Sequence, residues 1–233
     1  MTLIFEGKTK QLFSLHDEDT ILIKFRDNCC DRASDESSFI KVKEIIANKL
    51  NKELFFIIDS IVPNHIIEYK EDETFLAKKV DIIPLKVVVR NFAAGTICAR
   101  RGYNKGEWFP YPLIEYFLKN GDAILPEVSE AQIEQSGMMN YEAIDKIIEL
   151  SHLTNKMLRE YFLKYNLHLV DVELEFGVDK EGNIILADEI SPYTIRVAKH
   201  GAQANYWDKD DFKNACSSDL IDHYSNLVNI IGL

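Results

Sequence analysis

Three acidic residues alternate with apolar residues in the segment 169–177. Asp171, Glu173 and Glu175 occupy every second position, and the residues between them are apolar. Successive side chains of a β-strand point to opposite faces. The spacing therefore predicts a strand that carries three carboxylates on one face and apolar side chains on the other.

A second strand, residues 183–190, is predicted to return beside the first after a short turn. In the register that we predict, Glu175 lies opposite Leu186 and Glu173 lies opposite Asp188, which adds a fourth carboxylate to the face. Side chains opposed in this way lie ~5 Å apart, and like charges there are destabilising. A compensating cation is expected, and Mg²⁺ held by one or two carboxylates and substrate phosphates is typical. A solvated acidic strand face is the alternative.

The segment Glu6–Lys10 combines a glycine with two lysines, Lys8 and Lys10, between two predicted strands. Glycine permits a ligand to approach the backbone closely, and two lysines can hold polyphosphate oxygens. The segment is not a Walker A loop, because the first glycine of that motif would fall at Thr2. An exposed basic turn is the alternative interpretation.

Two further segments contain candidate ligand-binding residues. Lys78 precedes an apolar connector, Ile82-Ile83-Pro84, and a connector of this kind offers an adenine ring apolar walls and backbone hydrogen-bonding groups. Arg90 ends an apolar stretch and is followed by small residues and Thr96, a combination that suits a fixed phosphate or carboxylate. The alternatives are a plain buried strand in the first case and an arginine paired with an acidic residue in the second.

An α+β arrangement of elements must position these residues. The first 25 residues predict short antiparallel strands, and the apolar periodicity of residues 37–54 predicts a helix with one buried face. Further strands are predicted at 65–69, 75–80, 85–92, 167–178 and 183–190, and further helices between Ser129 and Gly137, at 141–165 and at 210–228. We predict two closely packed lobes, residues 1–82 and 83–233.

The composition excludes several classes of function. The chain has 233 residues, of which 46% are hydrophobic and 28% are charged, as is ordinary for a globular protein. Its formal net charge of −11 argues against a nucleic-acid or anionic-membrane partner, because phosphate contacts need a basic face. This charge remains compatible with a small phosphate ligand that a few well-placed cations hold.

The cysteines and the N-terminal residues predict a reduced cytoplasmic protein. The four cysteines, at positions 29, 30, 98 and 216, do not have the spacing of a CxxC motif or a metal site. The N-terminal residues do not resemble a signal peptide, and no apolar stretch approaches the ~18 residues of a membrane span. A thiol-containing chain of this kind is typical of a reducing compartment.

Taken in order along the chain, these segments resemble the SAICAR synthetase family, the phosphoribosylaminoimidazole-succinocarboxamide synthases. The resemblance runs from Glu6-Gly-Lys-Thr-Lys10 to the final helix. The matching motifs are Pro84…Val-Val-Arg90-Asn…Ala-Gly95-Thr96, Leu169-Val-Asp171…Leu-Glu175-Phe-Gly177, Ala187-Asp188-Glu189-Ile-Ser191-Pro192 with Arg196, and the shorter Phe117-Leu-Lys119-Asn120.

The resemblance implies both a fold and a reaction. The implied fold has a small antiparallel β-rich N-terminal lobe and a larger α+β lobe, with ATP in the cleft between them. In the implied reaction, ATP and Mg²⁺ activate the carboxylate of a carboxyaminoimidazole ribotide as an acyl phosphate. The amine of aspartate then attacks and leaves an amide, ADP and phosphate. The family also suggests a homodimer.

The resemblance also implies roles for individual residues. For the nucleotide, these are Lys8 and Lys10 at the phosphates, Lys78 and Lys119 as further contacts, and Ile82 and Ile83 beside adenine. The implied catalytic carboxylates are Asp171, Glu175 and Asp188, of which Glu175 and Asp188 carry Mg²⁺. For the ribotide, the implied residues are Arg90, Thr96, Ser191 and Arg196.

The chain departs from the family pattern at several positions. The family's glycine-rich loop is replaced by residues 30–34, and Tyr193 stands where the family has aspartate. Glu173 replaces a lysine of the second motif, and Lys86 replaces a glutamate of the first. These changes leave two alternatives open. One is an amide ligase of the same family that uses another amine or a related heterocyclic carboxylate, and the other is a nucleotide-binding paralogue without catalysis.

Overall fold

The computed structural model describes residues 1–7, 9–26, 37–70, 74–119, 126–199, 206–213 and 218–233. Within these residues the chain forms two antiparallel sheets and six helices, so the predicted α+β class is confirmed. The first sheet contains β1 (Thr2–Glu6), β2 (Lys10–Ser14), β3 (Thr20–Phe25), β4 (Ile66–Tyr69) and β5 (Thr74–Lys78), in the spatial order β1-β2-β3-β5-β4.

One face of the first sheet packs on helix α1 (Ser37–Ile58), which continues one turn beyond the predicted helix. Ile21, Ile23 and Phe25 alternate along β3 and are buried, whereas the residues between them are partly exposed. Leu50 and other apolar residues of α1 complete this part of the core. The helix thus forms because its apolar face covers the apolar face of the sheet.

The second sheet supplies most of the charged candidate residues. Its strands are β6 (Asp81–Phe92), β7 (Trp108–Leu118), β8 (Glu127–Val128), β9 (Leu167–Val178), β10 (Ile184–Ala187), β11 (Ile195–Lys199) and β12 (Tyr206–Trp207). The spatial order is β12-β11-β9-β6-β7-β8, and β10 also pairs with β9. β9, whose predicted bounds are confirmed, is therefore flanked by β6 on one side and by β10 and β11 on the other.

The remaining helices are α2 (Thr96–Arg101), α3 (Glu130–Gln135), α4 (Tyr141–Leu163), α5 (Lys209–Lys213) and α6 (Ser218–Ile230). The predicted start of α3 is confirmed, because Ser129 and Gln132 form a reciprocal capping box. Asn140 caps α4 by accepting a hydrogen bond from Ala143 N. None of the helices described here is long and apolar enough to cross a membrane.

Some predicted elements were wrong or missing. The single closing helix predicted at 210–228 is replaced by α5 and α6 in the described residues. β7 was not predicted, and Pro110 and Pro112 explain why, since proline usually argues against a strand. Both prolines lie where the pairing of β7 with β6 is irregular, between the pairs Phe92–Trp108 and Arg90–Leu113.

The change from the first sheet to the second falls between Lys78, where β5 ends, and Asp81, where β6 begins. A division of the chain into lobes at residue 82 stays a prediction. One hydrophobic core contains residues from both sheets and from α1, α4 and α6. This shared core is consistent with two lobes that are packed closely together.

Candidate active site

Asp171 is the centre of a buried charge cluster where three strands meet. It lies on β9, directly opposite Arg90 of β6 and Arg196 of β11. Opposed residues share one face of a sheet, so the side chains converge. The carboxylate accepts hydrogen bonds from Arg90 Nη1 at 3.0 Å, Arg196 Nη1 at 2.8 Å and Lys209 Nζ at 2.7 Å. Three cations therefore contact one fully buried carboxylate.

The surrounding cations determine the ionisation of Asp171. Burial alone would raise the pKa of this carboxyl, but Lys209, Arg196 and Arg90 outweigh burial and hold its pKa below the usual range. Burial likewise opposes the charge of Arg196, yet Asp171 and Asp208 raise the pKa of its guanidinium. The cluster is thus ionised and neutralises much of its own charge.

Arg90 is held in place by groups on both sides of its guanidinium. Its Nε donates to Glu115 at 2.5 Å, and its Nη1 also donates to the carbonyl oxygen of Ala94 at 3.1 Å. Glu115 is itself buried and accepts a second hydrogen bond from Arg100 at 2.7 Å. A guanidinium fixed in this way presents its donors in one orientation, which suits phosphate or carboxylate recognition.

Arg196 lies against the turn that follows β6. Its Nε donates to Asp208 at 2.6 Å, and its Nη2 donates to Asp210. Gly95 has φ +65°, and a Cβ atom there would lie 2.7 Å from Arg196 Nη2. The positive φ and the close approach of the arginine both favour glycine here, and the next residue, Thr96, is the exposed first residue of α2.

Three lysines compensate the negative charge of Glu173, and one of them, Lys86, departs from the family pattern. Its carboxylate lies 3.0 Å from Lys86 Nζ, 3.0 Å from Lys209 Nζ and 3.8 Å from Lys213 Nζ. Burial opposes the charge of this carboxylate, but the lysines outweigh burial and lower its pKa. The two departures, Lys86 and Glu173, are therefore partners in one ion pair.

The predicted register of the hairpin was wrong by one residue. Glu175 lies opposite Ala187, and Leu186 lies opposite Phe176. In regular strand geometry this register would turn Asp188 to the other face, but Asp188 has φ +63° and lies beyond the end of β10. The left-handed backbone conformation redirects the side chain, so Asp188 still lies near Glu175, and the electrostatic coupling between them reflects this proximity.

Each member of this carboxylate pair, Glu175 and Asp188, contacts a predicted nucleotide-binding lysine. Lys119 Nζ lies 2.5 Å from Glu175, and Lys10 forms an ion pair with Asp188. Lys10 also lies 3.1 Å from Glu189. The structure thus brings residues of the first sheet and of the second sheet together at one site.

The pKa values indicate a shortage of positive charge at the carboxylate pair. Burial and the charge of Asp188 raise the pKa of Glu175. Burial also acts on Asp188, but Lys10 outweighs it, so the pKa of Asp188 is lowered. Burial lowers the pKa of His65 to about 4, and its Nε2 lies 2.9 Å from Asp188 O, to which the neutral ring donates. A further cation at this site would favour ionisation of both carboxylates.

The described residues contain no group of three or more His, Cys, Asp or Glu side chains that could hold a metal ion by themselves. A metal here would need additional ligands from a bound molecule. Two carboxylates with an incomplete ligand set suit Mg²⁺, which usually keeps water and substrate phosphates in its coordination shell.

In the third motif, the predicted site residue Ser191 and the departing residue Tyr193 both have contacts within the protein. Ser191 is buried, donates to Glu189 through its hydroxyl and accepts a hydrogen bond from Tyr193 N at 3.1 Å. Tyr193 is buried in the core, with its ring 4.8 Å from that of Phe212 and 5.8 Å from Lys43 Nζ. The aromatic replacement of aspartate is thus accommodated by core packing.

The structure does not bring the other predicted nucleotide residues to the carboxylate pair. On β3, Thr20 lies opposite Lys78 and Phe25 lies opposite Lys10, so the two lysines lie on different faces of the sheet. The side chain of Lys78 lines a cavity of about 810 Å³. Of the apolar connector, Ile82 is exposed and Ile83 is buried. Lys8 and residues 30–34 lie outside the described residues.

Sequence reasoning missed Lys209, Glu115 and His65. For Lys209 a signal was available, because it stands between two acids in Asp208-Lys209-Asp210 beside a tryptophan. Glu115 lies in the unpredicted strand β7, and His65 is one of six scattered histidines without a distinguishing pattern. Glu115 and His65 could be recognised only from their contacts in the structure.

The chain is an α+β protein with two antiparallel sheets. Its charged site consists of the cations around Asp171 and of the carboxylate pair Glu175 and Asp188, which Lys10 of the first sheet contacts. The family model for SAICAR synthetase matches residues 3–229. The chain therefore belongs to the SAICAR synthetase family.

Named relatives and solved structures agree with this assignment. The phosphoribosylaminoimidazole-succinocarboxamide synthase of Staphylococcus saprophyticus is 36% identical over 230 residues, which cover 98% of both chains. That of a Thermoanaerobacter species is 37% identical over 89% of this chain and 85% of the relative. A structure described as SAICAR synthetase (Type-2) in complex with ADP has a TM-score of 0.86 and 31% identity, covering 98% of this chain and 97% of that one. The predicted family and two-lobed α+β fold are confirmed.

Proposed function

We propose that this chain catalyses the ATP-dependent joining of a carboxyaminoimidazole ribotide and aspartate, with release of ADP and phosphate. The observation that carries the proposal is the arrangement of charges on one face of β9. Asp171 at one end contacts two arginines, and Glu175 at the other end lies beside Asp188 and two lysines. A ribotide and a nucleotide can thus be held on the same face by residues of a known ligase family.

The chemistry requires activation of a carboxylate. A carboxylate is a poor electrophile until one of its oxygens becomes part of a phosphate leaving group. Transfer of the terminal phosphate of ATP gives an acyl phosphate, and the amine of aspartate then displaces that phosphate. The protein mainly contributes positioning and charge neutralisation to such a step.

In this proposal, lysines and apolar residues bind ATP. Lys10 and Lys119 hold phosphate oxygens beside the carboxylate pair, where each already has an acidic partner. Ile82 is exposed at the start of β6 and can contact adenine together with Ile83. For Lys8 and Lys78, the proposed contacts with the nucleotide rest on the family resemblance alone.

Mg²⁺ is the proposed cofactor, carried by Glu175 and Asp188. The pKa of Glu175 is raised by burial and by Asp188, so the pair has an electrostatic need that a divalent cation would meet. When bound, Mg²⁺ would neutralise charge on the phosphate oxygens of ATP. Lys10 and Lys119 would keep the two carboxylates oriented.

The ribotide is proposed to bind near the Asp171 cluster. Arg90 and Arg196 present fixed guanidinium groups, and Thr96 follows Gly95, the residue that lies against Arg196. Asp171 would orient the arginines and lie near the imidazole ring. The role of Ser191 would be exerted through its hydrogen bonds in the turn between β10 and β11.

The chain's departures from the family pattern give limited support to the two alternatives. Tyr193 is buried in the core, and Glu173 is neutralised by Lys86, so neither removes a contact at the carboxylate pair. The changed loop at residues 30–34 lies outside the described residues. The relatives matched over nearly the whole chain favour the synthetase reaction over another amine or a loss of catalysis.

A screen of amines with detection of ADP tests the proposed function. We expect ADP release that requires the ribotide carboxylate, ATP, Mg²⁺ and aspartate together. ADP release only with another amine would support the divergent ligase, and nucleotide binding without turnover over a broad amine panel would support the paralogue. Either result would contradict the proposal.

Location and assembly are further parts of the proposal. Cys98 is a free thiol, which is consistent with a cytoplasmic protein. A homodimer is proposed on the family resemblance, and light scattering of the purified chain measures its mass directly. The proposed partners are small-molecule substrates, and no nucleic acid or membrane partner is proposed.

A further inference from the structure

Lys86 lies on the charged face between the two halves of the candidate site. It is directly opposite Glu175 in the pairing of β6 with β9, whereas Arg90, four residues further along β6, is opposite Asp171. Both positions face the same side, because residues an even number apart share a face of a strand. Four residues span ~13 Å of strand. A nucleotide-sized molecule held at Arg90 can therefore reach the ammonium group of Lys86.

The contacts of Lys86 leave it accessible to a ligand. Its Nζ lies 3.0 Å from Glu173 Oε2, and its side chain is 26% exposed. Lys209, the other lysine 3.0 Å from Glu173, is 2% exposed and also contacts Asp171. Lys86 thus combines a fixed position with access to the face, whereas Lys209 is enclosed by its carboxylate partners.

Lys86 and Glu173 have exchanged the charges that the two family motifs carry at these positions. The family resemblance implies glutamate in the first motif and lysine in the second, whereas this chain has lysine on β6 and glutamate on β9. Because the two side chains form one ion pair, the exchange keeps both a cation and an anion at the same place. The cation has moved from one strand to its neighbour.

We infer that Lys86 is a specificity-determining residue that binds the ring carboxylate of the ribotide beside the carboxylate pair Glu175 and Asp188. This inference rests on the proposed function. Lys86 would hold the carboxylate where the terminal phosphate of ATP arrives. Glu173 would act as a positioning residue that keeps the ammonium group on the face.

The inference is tested by the affinity for two ribotides that differ in one group. Titration calorimetry measures binding of carboxyaminoimidazole ribotide and of aminoimidazole ribotide, which lacks the carboxylate. We expect Lys86→Met to weaken binding of the first ~10-fold or more and to leave the second nearly unchanged, since a charge-assisted contact is lost only with the carboxylate. A purely structural role of Lys86 would weaken both equally. Lys156→Met, at an exposed lysine of α4, is the matched control and should change neither.

The double exchange Lys86→Glu with Glu173→Lys gives a second readout. Lys86→Glu alone should lose the preference for the carboxylated ribotide, and adding Glu173→Lys should restore most of it, because a lysine then reaches the same place from β9. An unchanged preference in Lys86→Met, or a double variant as poor as Lys86→Glu alone, would overturn the inference. The calorimetry does not require turnover. A wild-type chain that prefers the carboxylated ribotide but releases no ADP would therefore contradict the proposed function and leave the inference standing.

Discussion

The two ends of the charged face on β9 are neutralised in different ways. At one end, three cations contact Asp171 directly and lower the pKa of this buried carboxyl despite its burial. At the other end, the pKa of Glu175 is raised by burial and by the charge of Asp188. Two carboxyl groups on one strand, Asp171 and Glu175, therefore have pKa values shifted in opposite directions, although they lie only ~13 Å apart.

This difference separates a supporting role from a role in activation. The Asp171 cluster is internally compensated, so it can hold arginine donors in place before any ligand arrives. At the carboxylate pair, burial and Asp188 disfavour the charged form of Glu175, so an incoming cation with its phosphates would be stabilised there. Substitutions that remove one negative charge from each end should therefore have opposite consequences.

The largest expected effect is on the stability of Asp171→Asn. This change leaves Arg90, Arg196 and Lys209 without the carboxylate that they share. Breaking a buried ion pair in this way costs ~3–5 kcal/mol. The free energy of unfolding, measured by urea titration at pH 7, should fall by about this amount. A decrease in the free energy of unfolding no larger than that of a substitution at an exposed residue would show that Asp171 is not the centre of a buried ion-pair cluster.

Glu175→Gln is the matched change at the other end. Because the pKa of Glu175 is raised, its charged form is disfavoured in the folded chain, and removal of the charge should leave the free energy of unfolding equal or higher. Activity should nevertheless fall. A strong loss of stability here would remove the contrast between the two ends.

His65 should produce the next largest effect, as a dependence of stability on pH. Burial lowers its pKa to about 4 from 6.5, so the unfolded chain binds this proton at higher pH than the folded chain. The stability contributed by the neutral ring is present above pH 6.5 and is lost as the pH falls from 6.5 to 4, to an extent of about 3 kcal/mol.

Unfolding experiments on variants can isolate this contribution. His65→Gln cannot titrate in this range, so its free energy of unfolding should depend less on pH between 6.5 and 4 than that of the wild type. His152→Gln, at an exposed histidine of α4, should keep the wild-type dependence. Parallel profiles for wild type and His65→Gln would argue against a buried neutral His65.

The smallest expected effect concerns the turn beside Arg196. Gly95→Ala and Gly102→Ala both place a side chain at positive φ, which costs ~1–3 kcal/mol. Only the first also places a Cβ atom 2.7 Å from Arg196 Nη2, whereas a Cβ atom at Gly102 would have no such neighbour within 4 Å. Both variants should lose stability, and Gly95→Ala alone should raise the KM for the ribotide. Equal KM values in the two variants would indicate that the turn does not position the arginine.

Most of the fold could be predicted from local patterns in the sequence. The alternation of apolar and acidic residues in 169–178 predicted β9 with its correct bounds, because period-two alternation is a strong local signal. Ser129 likewise marked the start of α3. β7 was missed because its prolines argue against a strand. A single closing helix was predicted where the described residues form α5 and α6.

Less of the site than of the fold could be predicted from the sequence. The carboxylates and arginines were predicted, but their pairing depends on which strands are neighbours, and sequence order does not give this. The register error arose because the turn between β9 and β10 spans residues 179–183, one residue more than predicted. The left-handed backbone of Asp188, which no glycine marks, then turns its side chain back toward Glu175. The pairing of Lys86 with Glu173, 87 residues apart, appears only when β6 and β9 are adjacent.

The binding of ATP to wild type and to Asp188→Asn, measured by titration calorimetry with and without Mg²⁺, tests the contrast between the two ends most directly. We predict that Mg²⁺ tightens ATP binding to the wild type and that this tightening falls ~10-fold or more in Asp188→Asn, with turnover lost. An Asp188→Asn chain with unchanged Mg²⁺ dependence and rate would contradict the assignment of the Glu175–Asp188 pair as the metal site.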